Sequence, residues 1–151
     1  MNLSFLRHLP TLGRRPLHRI ITATISEAPD AERTLQHLLD ELPELLMAAV
    51  VGVGSRQVLA SYTSQPQLWP ADAAPAWMAM VEQLQANQAA QEQSVEHLEE
   101  IVMTLPSQQH LLRLYPNSQQ FCYLVVDAYD TNLALAREIM HQAISLVDVK
   151  K

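Results

Sequence analysis

The chain has 151 residues, of which 48% are apolar, 17% charged and 5% aromatic. That is room for one domain, and it is too apolar for a disordered chain. The longest run free of charge and strong polarity, Leu45 to Gly54, is roughly half of what a membrane-spanning helix requires, so a transmembrane protein is excluded. A single cysteine, Cys122, excludes an intramolecular disulfide framework and any cysteine-only metal site. It suits a reducing compartment, and a cytoplasmic location is expected. The formal charge is −6, yet no acid precedes Glu27 while Arg7, Arg14, Arg15 and Arg19 all do. The remainder is therefore more acidic than the whole, repels phosphate backbones, and is not expected to bind nucleic acid.

Residues 1–27 form a basic N-terminal extension, and residues 28–151 the domain proper. Pro10 and Pro16 prevent one continuous helix in the extension, and Gly13 marks a bend. Leu3, Phe5, Leu6 and Leu9 compose a short apolar anchor. The absence of acids with Ser, Thr and Arg present fits a transit peptide, a docking arm or a plain tail. The positive charge suits an anionic lipid surface, an acidic partner or the chain's own acidic body. Arg19 to Ile25 is β-branched and is a candidate added strand.

Asp30 after Pro29 is the expected cap of a first helix carrying Leu35, Leu38, Leu39 and Leu42, which Pro43 ends. Leu46 to Val53 is apolar at nearly every position, the pattern of a strand covered on both faces. A turn over Gly52 to Arg56 leads to a second strand, Gln57 to Tyr62. A loop with Pro66 and Pro70 follows, presenting Leu68 and Trp69. A middle helix is expected from near Asp72, with Pro75 in its first turn and an inner stripe of Ala73, Trp77, Met80, Val81 and Leu84. Met78 falls outside that stripe. Three strands follow, Glu99 to Leu105, His110 to Tyr115 and Phe121 to Tyr129, separated by Pro-containing turns. A last helix is expected to begin at Asp130 or Thr131. Helices must cover both faces of a largely antiparallel sheet, which predicts an α/β fold, a three-layer α/β/α sandwich of five strands.

Two segments resemble roadblock-type domains. Leu42-Pro43-Glu44-Leu45-Leu46-Met47-Ala48-Ala49-Val50-Val51-Gly52-Val53 with Val58-Leu59-Ala60-Ser61 is similar to that family's first hairpin. Tyr123-Leu124-Val125-Val126-Asp127 with Asn132-Leu133-Ala134-Leu135-Ala136-Arg137 is similar to its last strand and following helix. Order and spacing agree over about residues 30–148. Glu44 stands where the family usually has Gly, and Ser55-Arg56 replaces its Asp-Gly type of turn.

The resemblance implies the profilin-like roadblock fold, with sheet order 2-1-5-4-3. It also implies a dimer, homomeric or with another roadblock-type domain, that pairs the third strands and packs the middle helices. The residues support such a contact independently: Ile101, Val102, Met103 and Leu105, next to Glu99, would otherwise form an exposed apolar edge. Ala86, Ala89 and Ala90 allow a close helix approach, although a solvated helix end has the same composition.

Members of the family act mostly as dimeric platforms for small Ras-like GTPases or as adaptors in motor and signalling assemblies. Some bacterial members stimulate their GTPase without donating an arginine. Carried over, the platform surface nominates Trp77, Met78, Met80, Val81, Gln85 and Gln88. Trp77, Met80 and Val81 read more readily as core, leaving Met78, Gln85 and Gln88 as the better partner-binding candidates. Trp69 is either a lid over the core or an exposed anchor.

No catalytic constellation is legible. His8, His18, His37, His97, His110 and His141 never fall at helical metal-ligand spacing. Gly52-Val53-Gly54 lacks the third glycine of a dinucleotide fingerprint. Cys122 reads as a buried inert thiol. Glu96, Glu99 and Glu100 around His97 read as a solvated strand approach, and Asp127 and Asp130 as helix-capping residues. Arg137 is expected to cover apolar surface or pair with an acid. No enzyme activity, cofactor or metal is expected. The leading expectation is a dimeric platform that binds and regulates a small Ras-like GTPase. The alternatives are a scaffold or adaptor subunit without GTPase stimulation, and a sensor-type sandwich binding a small ligand.

Overall fold

The computed structural model describes residues 18–91 and 95–148. The expectations for Arg7, Arg14, Arg15 and the Leu3–Leu9 anchor fall outside those residues. Chain order is β1 (Ile21–Thr22), α1 (Ala28–Glu41), β2 (Leu45–Gly52), β3 (Val58–Thr63), α2 (Pro70–Ala89), β4 (Glu100–Thr104), β5 (Gln108–Leu114), β6 (Gln120–Asp127) and α3 (Leu133–Asp148).

The strands form one antiparallel sheet in the order β1-β3-β2-β6-β5-β4. The expected number of five strands is thereby corrected to six, while the five strands that follow β1 in the sheet, β3-β2-β6-β5-β4, stand in the relative order 2-1-5-4-3. A sixth strand, drawn from the β-branched Arg19–Ile25 segment, lies against the outer side of β3. β2 and β6, the two continuously apolar strands, pair with each other in the middle of the sheet from Leu45↔Val126 to Gly52↔Gln120. Every residue from Met47 to Gly52 and from Phe121 to Val126 is buried.

Period-two alternation sends these side chains to two separate cores. On one face Ala48, Val50, Cys122, Leu124 and Val126 meet Leu35 and Leu38 of α1 and Ala136, Met140 and Ala143 of α3. On the other, Met47, Ala49, Val51, Tyr123 and Val125 meet Ala74, Trp77, Met78 and Val81 of α2. Helices thus cover both faces, and the α/β/α layering follows.

Helix boundaries depart from the sequence reading in instructive ways. α1 starts at Ala28 with Pro29 in its first turn, so Asp30 is not its cap; the Asp30 carboxylate lies 3.6 Å from Arg33 instead. α2 starts at Pro70, its first helical residue, with Trp69 held extended at the N-cap; Pro75, expected in the first turn, therefore lies inside the helix. α3 starts at Leu133. Its cap is Asn132, whose Oδ1 accepts from the amides of Ala134 and Leu135 at 2.9 and 3.3 Å. Asp127 closes the preceding turn by accepting from the Tyr129 and Asp130 amides.

The α1–α3 layer is also tied to the sheet by a buried polar contact, Thr34 Oγ1 to Tyr115 Oη at 3.1 Å. Leu38 is fully buried where α1 meets the sheet and α3. Replacing it by alanine is expected to cost about 2–5 kcal/mol of unfolding free energy, read from urea denaturation, because the site is enclosed by rigid elements and cannot collapse.

Candidate functional site

β4 forms one outer edge of the sheet, paired only with β5 among the described residues: Glu100 lies opposite Arg113, Ile101 opposite Leu112, and Met103 opposite His110. Val102, Met103 and Leu105 are 40%, 37% and 40% exposed. Ile101 is half-buried against the α2-side core, and Glu99, just before the strand, is exposed. The predicted edge is therefore present, apolar and uncovered among the described residues. Its orientation is fixed by an ion pair that sequence spacing does not suggest. Glu100, almost buried, accepts two hydrogen bonds from Arg137 of α3 at 3.0 and 2.6 Å and lies 3.9 Å from Arg113. The Glu100 carboxylate holds the exposed Arg137 guanidinium above its ordinary pKa. Arg137 thus pairs with an acid, and Glu100 is a structural group rather than part of a solvated approach.

The α2 candidates divide. Trp77 and Met78 are buried, Met78 to 4% exposure, so both are removed from the partner-binding set. The reason is helix phase. α2 lies on the sheet through Ala74, Trp77, Met78 and Val81, a stripe rotated from the predicted one, which leaves Leu84 exposed and Ala73 and Met80 at its margin. Ala86, Ala89 and Ala90 are all exposed at the helix end.

Gln85, Gln88 and Ala89 come together with Glu96, His97 and Leu98 around a groove of about 290 Å³. A second, shallower depression of about 540 Å³ continues from Gln88 along Glu96–Glu100 to the start of β4. The two halves of the predicted surface, the helix end and the strand edge, are thus contiguous. Trp69 stands apart from both, half-buried at the other end of α2.

Behind the edge runs an aromatic and polar stack that the sequence reading missed, because its members come from three distant elements. The Trp77 ring stacks on Tyr123 at 3.5 Å between centroids, tilted by 14°. Tyr123 Oη lies 2.6 Å from His110 Nδ1, and His110 Nε2 lies 3.3 Å from Gln108 Oε1. Burial pushes the Tyr123 phenol up to about 12 and lowers His110 below its ordinary value of 6.5. Cys122, fully buried, is pushed up to about 12 by desolvation, which makes it a poor nucleophile. Among the described residues no group of three or more His, Cys, Asp or Glu is placed to hold a metal ion, and no helix is long and apolar enough to cross a membrane.

No protein-family model and no curated protein sequence matches the chain. Solved structures match it in fold. It is similar to MglB of Myxococcus xanthus, with a TM-score of 0.70 over 85% of this chain and 93% of that one, at 12% identity. The gliding protein MglB of Thermus thermophilus gives 0.62 over 91% and 100%, at 15% identity. A Roadblock/LC7 domain protein of Streptomyces avermitilis gives 0.55 over 76% and 92%, at 14% identity. The domain is of roadblock type in its fold.

Because His110 holds its proton less readily in the folded chain than in the unfolded one, stability is full above about pH 6.5 and declines as pH falls below it. Urea midpoints measured from pH 7.5 down to pH 5 should show this decline. His110→Gln, which keeps a polar group beside Tyr123 without titrating, should flatten that component.

Proposed function

We propose that this chain is a dimeric interaction platform that pairs through β4 and docks a small Ras-like GTPase on the surface running from the α2 end to that edge. The observation that carries the reading is the exposed apolar border of β4. An open strand bearing Val102, Met103 and Leu105 is an aggregation hazard unless another chain covers it, and a second copy does so with the same backbone groups. The roadblock-type fold shared with the two MglB proteins supports the same assignment. So does the continuity of the Gln85–Gln88–Ala89 groove with the strand, since pairing two copies doubles that surface across a two-fold axis.

The candidate dimer residues are Glu99, Ile101, Met103 and Leu105 on the strand side and Ala86, Ala89 and Ala90 on the helix side. The candidate partner-binding residues are Gln85 and Gln88, with Trp69 at a separate position. In this reading the chain supplies no catalytic group. It acts by positioning elements of its partner, and its location is the cytoplasm, where such GTPases work.

Met103→Lys places a charge at the centre of the paired border. Light scattering on a size-exclusion column should give the mass of two chains for the parent and one for the variant; a variant that keeps the parent's mass removes β4 from the interface. GTP turnover by a Ras-like GTPase of the same organism should change when the parent protein is added. Gln88→Arg, at the exposed groove, should leave the dimer intact and weaken that response by about tenfold, the loss expected for one disrupted interface contact. An unchanged turnover rate with no detectable complex would reduce the reading to a scaffold.

A further inference from the structure

The two outer edges of the sheet are treated differently. β4 is open, whereas β3 is lined along its length by residues 18–23. Ile21 and Thr22 lie opposite Ser61 and Ala60. On either side of them the His18 amide donates to the Thr63 carbonyl at 2.9 Å, and the Ala23 amide to the Leu59 carbonyl at 2.8 Å. In an antiparallel edge strand alternate residues turn their backbone groups outward. In β3 those are Leu59, Ser61 and Thr63, and the segment meets all three.

β3 has particular need of such cover. Its sequence, Val58-Leu59-Ala60-Ser61-Tyr62-Thr63, carries neither charge nor proline, the usual devices that keep an edge from pairing with another chain. The same lack of charge makes it self-complementary: two copies laid antiparallel about a two-fold axis bring no like charges together.

The covering segment is lightly held. His18, Arg19 and Ile21 are exposed, Thr22 and Ala23 are half-buried, and only Ile20 and Ile25 pack, half-buried, against the core beneath α1. Among the described residues one side-chain hydrogen bond fastens it to α1, Thr22 Oγ1 to Glu32 Oε2 at 3.1 Å. Beside it an open groove of about 900 Å³ separates Ile20 and Ile21 from Gln36 and Leu39 of α1. Segments with so little buried surface open at lower free energy than the core they cover.

We propose that residues 18–23 are a displaceable guard on β3, and that the occupant of this edge once the guard lifts is β3 of a second copy. With the guard in place only β4 is free to pair, and assembly stops at two chains. With it lifted the sheet has two pairing edges, and assembly continues. The guard itself rests on the β3 edge, while the stop at two chains rests on the β4 pairing of the platform reading.

Ile21→Pro removes a backbone donor from the guard at its centre. Light scattering should show species larger than the parent, and a synthetic peptide of residues 18–25 added in excess should return them to the parent's mass. In a Met103→Lys background, where β4 is blocked, Ile21→Pro should double the mass of its own parent and go no further. Natively folded Ile21→Pro with an unchanged mass in both backgrounds overturns the proposal, whatever Met103→Lys does alone. Should Ile21→Pro lose its circular dichroism signal, Thr22→Ala decides. It removes only the link to Glu32, and it should speed hydrogen exchange at the Ala23 amide several-fold while β2 amides stay unchanged. No acceleration there also overturns the proposal.

Discussion

The structure depends on the pairing of β2 with β6. Both strands are apolar at nearly every position, and only the middle of a sheet covered on two faces keeps all of those side chains from water. Once they are paired, Ala48 and Val50 face one layer and Met47, Ala49 and Val51 the other, so helices are required on both sides. α1 and α3 fill one layer and α2 the other. The less apolar strands are left to the flanks.

Those flanks have opposite characters. On the β3 side the chain completes its own sheet with a two-residue strand and two adjoining backbone hydrogen bonds. On the β4 side it exposes Val102, Met103 and Leu105 and stiffens the strand through the Glu100–Arg137 pair. This pair is exposed at its arginine end, so its value lies less in stability than in fixing where the border stands relative to α3. The Trp77–Tyr123–His110 stack does the same from the α2 side, since His110 is the cross-strand neighbour of Met103. A border held from both layers has little freedom left to lose, which suits the proposed pairing.

The α2 surface illustrates how an error of phase propagates. A stripe of Ala73, Trp77, Met80, Val81 and Leu84 satisfies helical periodicity, but so does Ala74, Trp77, Met78 and Val81, one step around the cylinder. In an alanine-rich helix with methionines at both 78 and 80, hydrophobicity does not distinguish them. Contact with the sheet does: Trp77 must lie flat on Tyr123, and that rotation buries Met78 and exposes Leu84. Gln85 and Gln88 survive as surface residues because they lie at the margin of either stripe.

From the residues alone, the continuous apolar runs Leu46–Val53 and Phe121–Val126 determined which strands are central, and the three amphipathic or capped stretches determined that helices occupy both faces. These are properties of composition and period, and a sequence carries them directly. The resemblance of the first hairpin and last helix to roadblock-type domains was also legible, being a local pattern. What only the tertiary structure decided was everything that depends on distant groups meeting. That includes which edge the anticipated Arg19–Ile25 strand joins, the Glu100–Arg137 pair, the His110–Tyr123 contact, and the rotation of α2. Each is set by which neighbour the fold brings within a few ångströms, and no spacing along the chain encodes that distance.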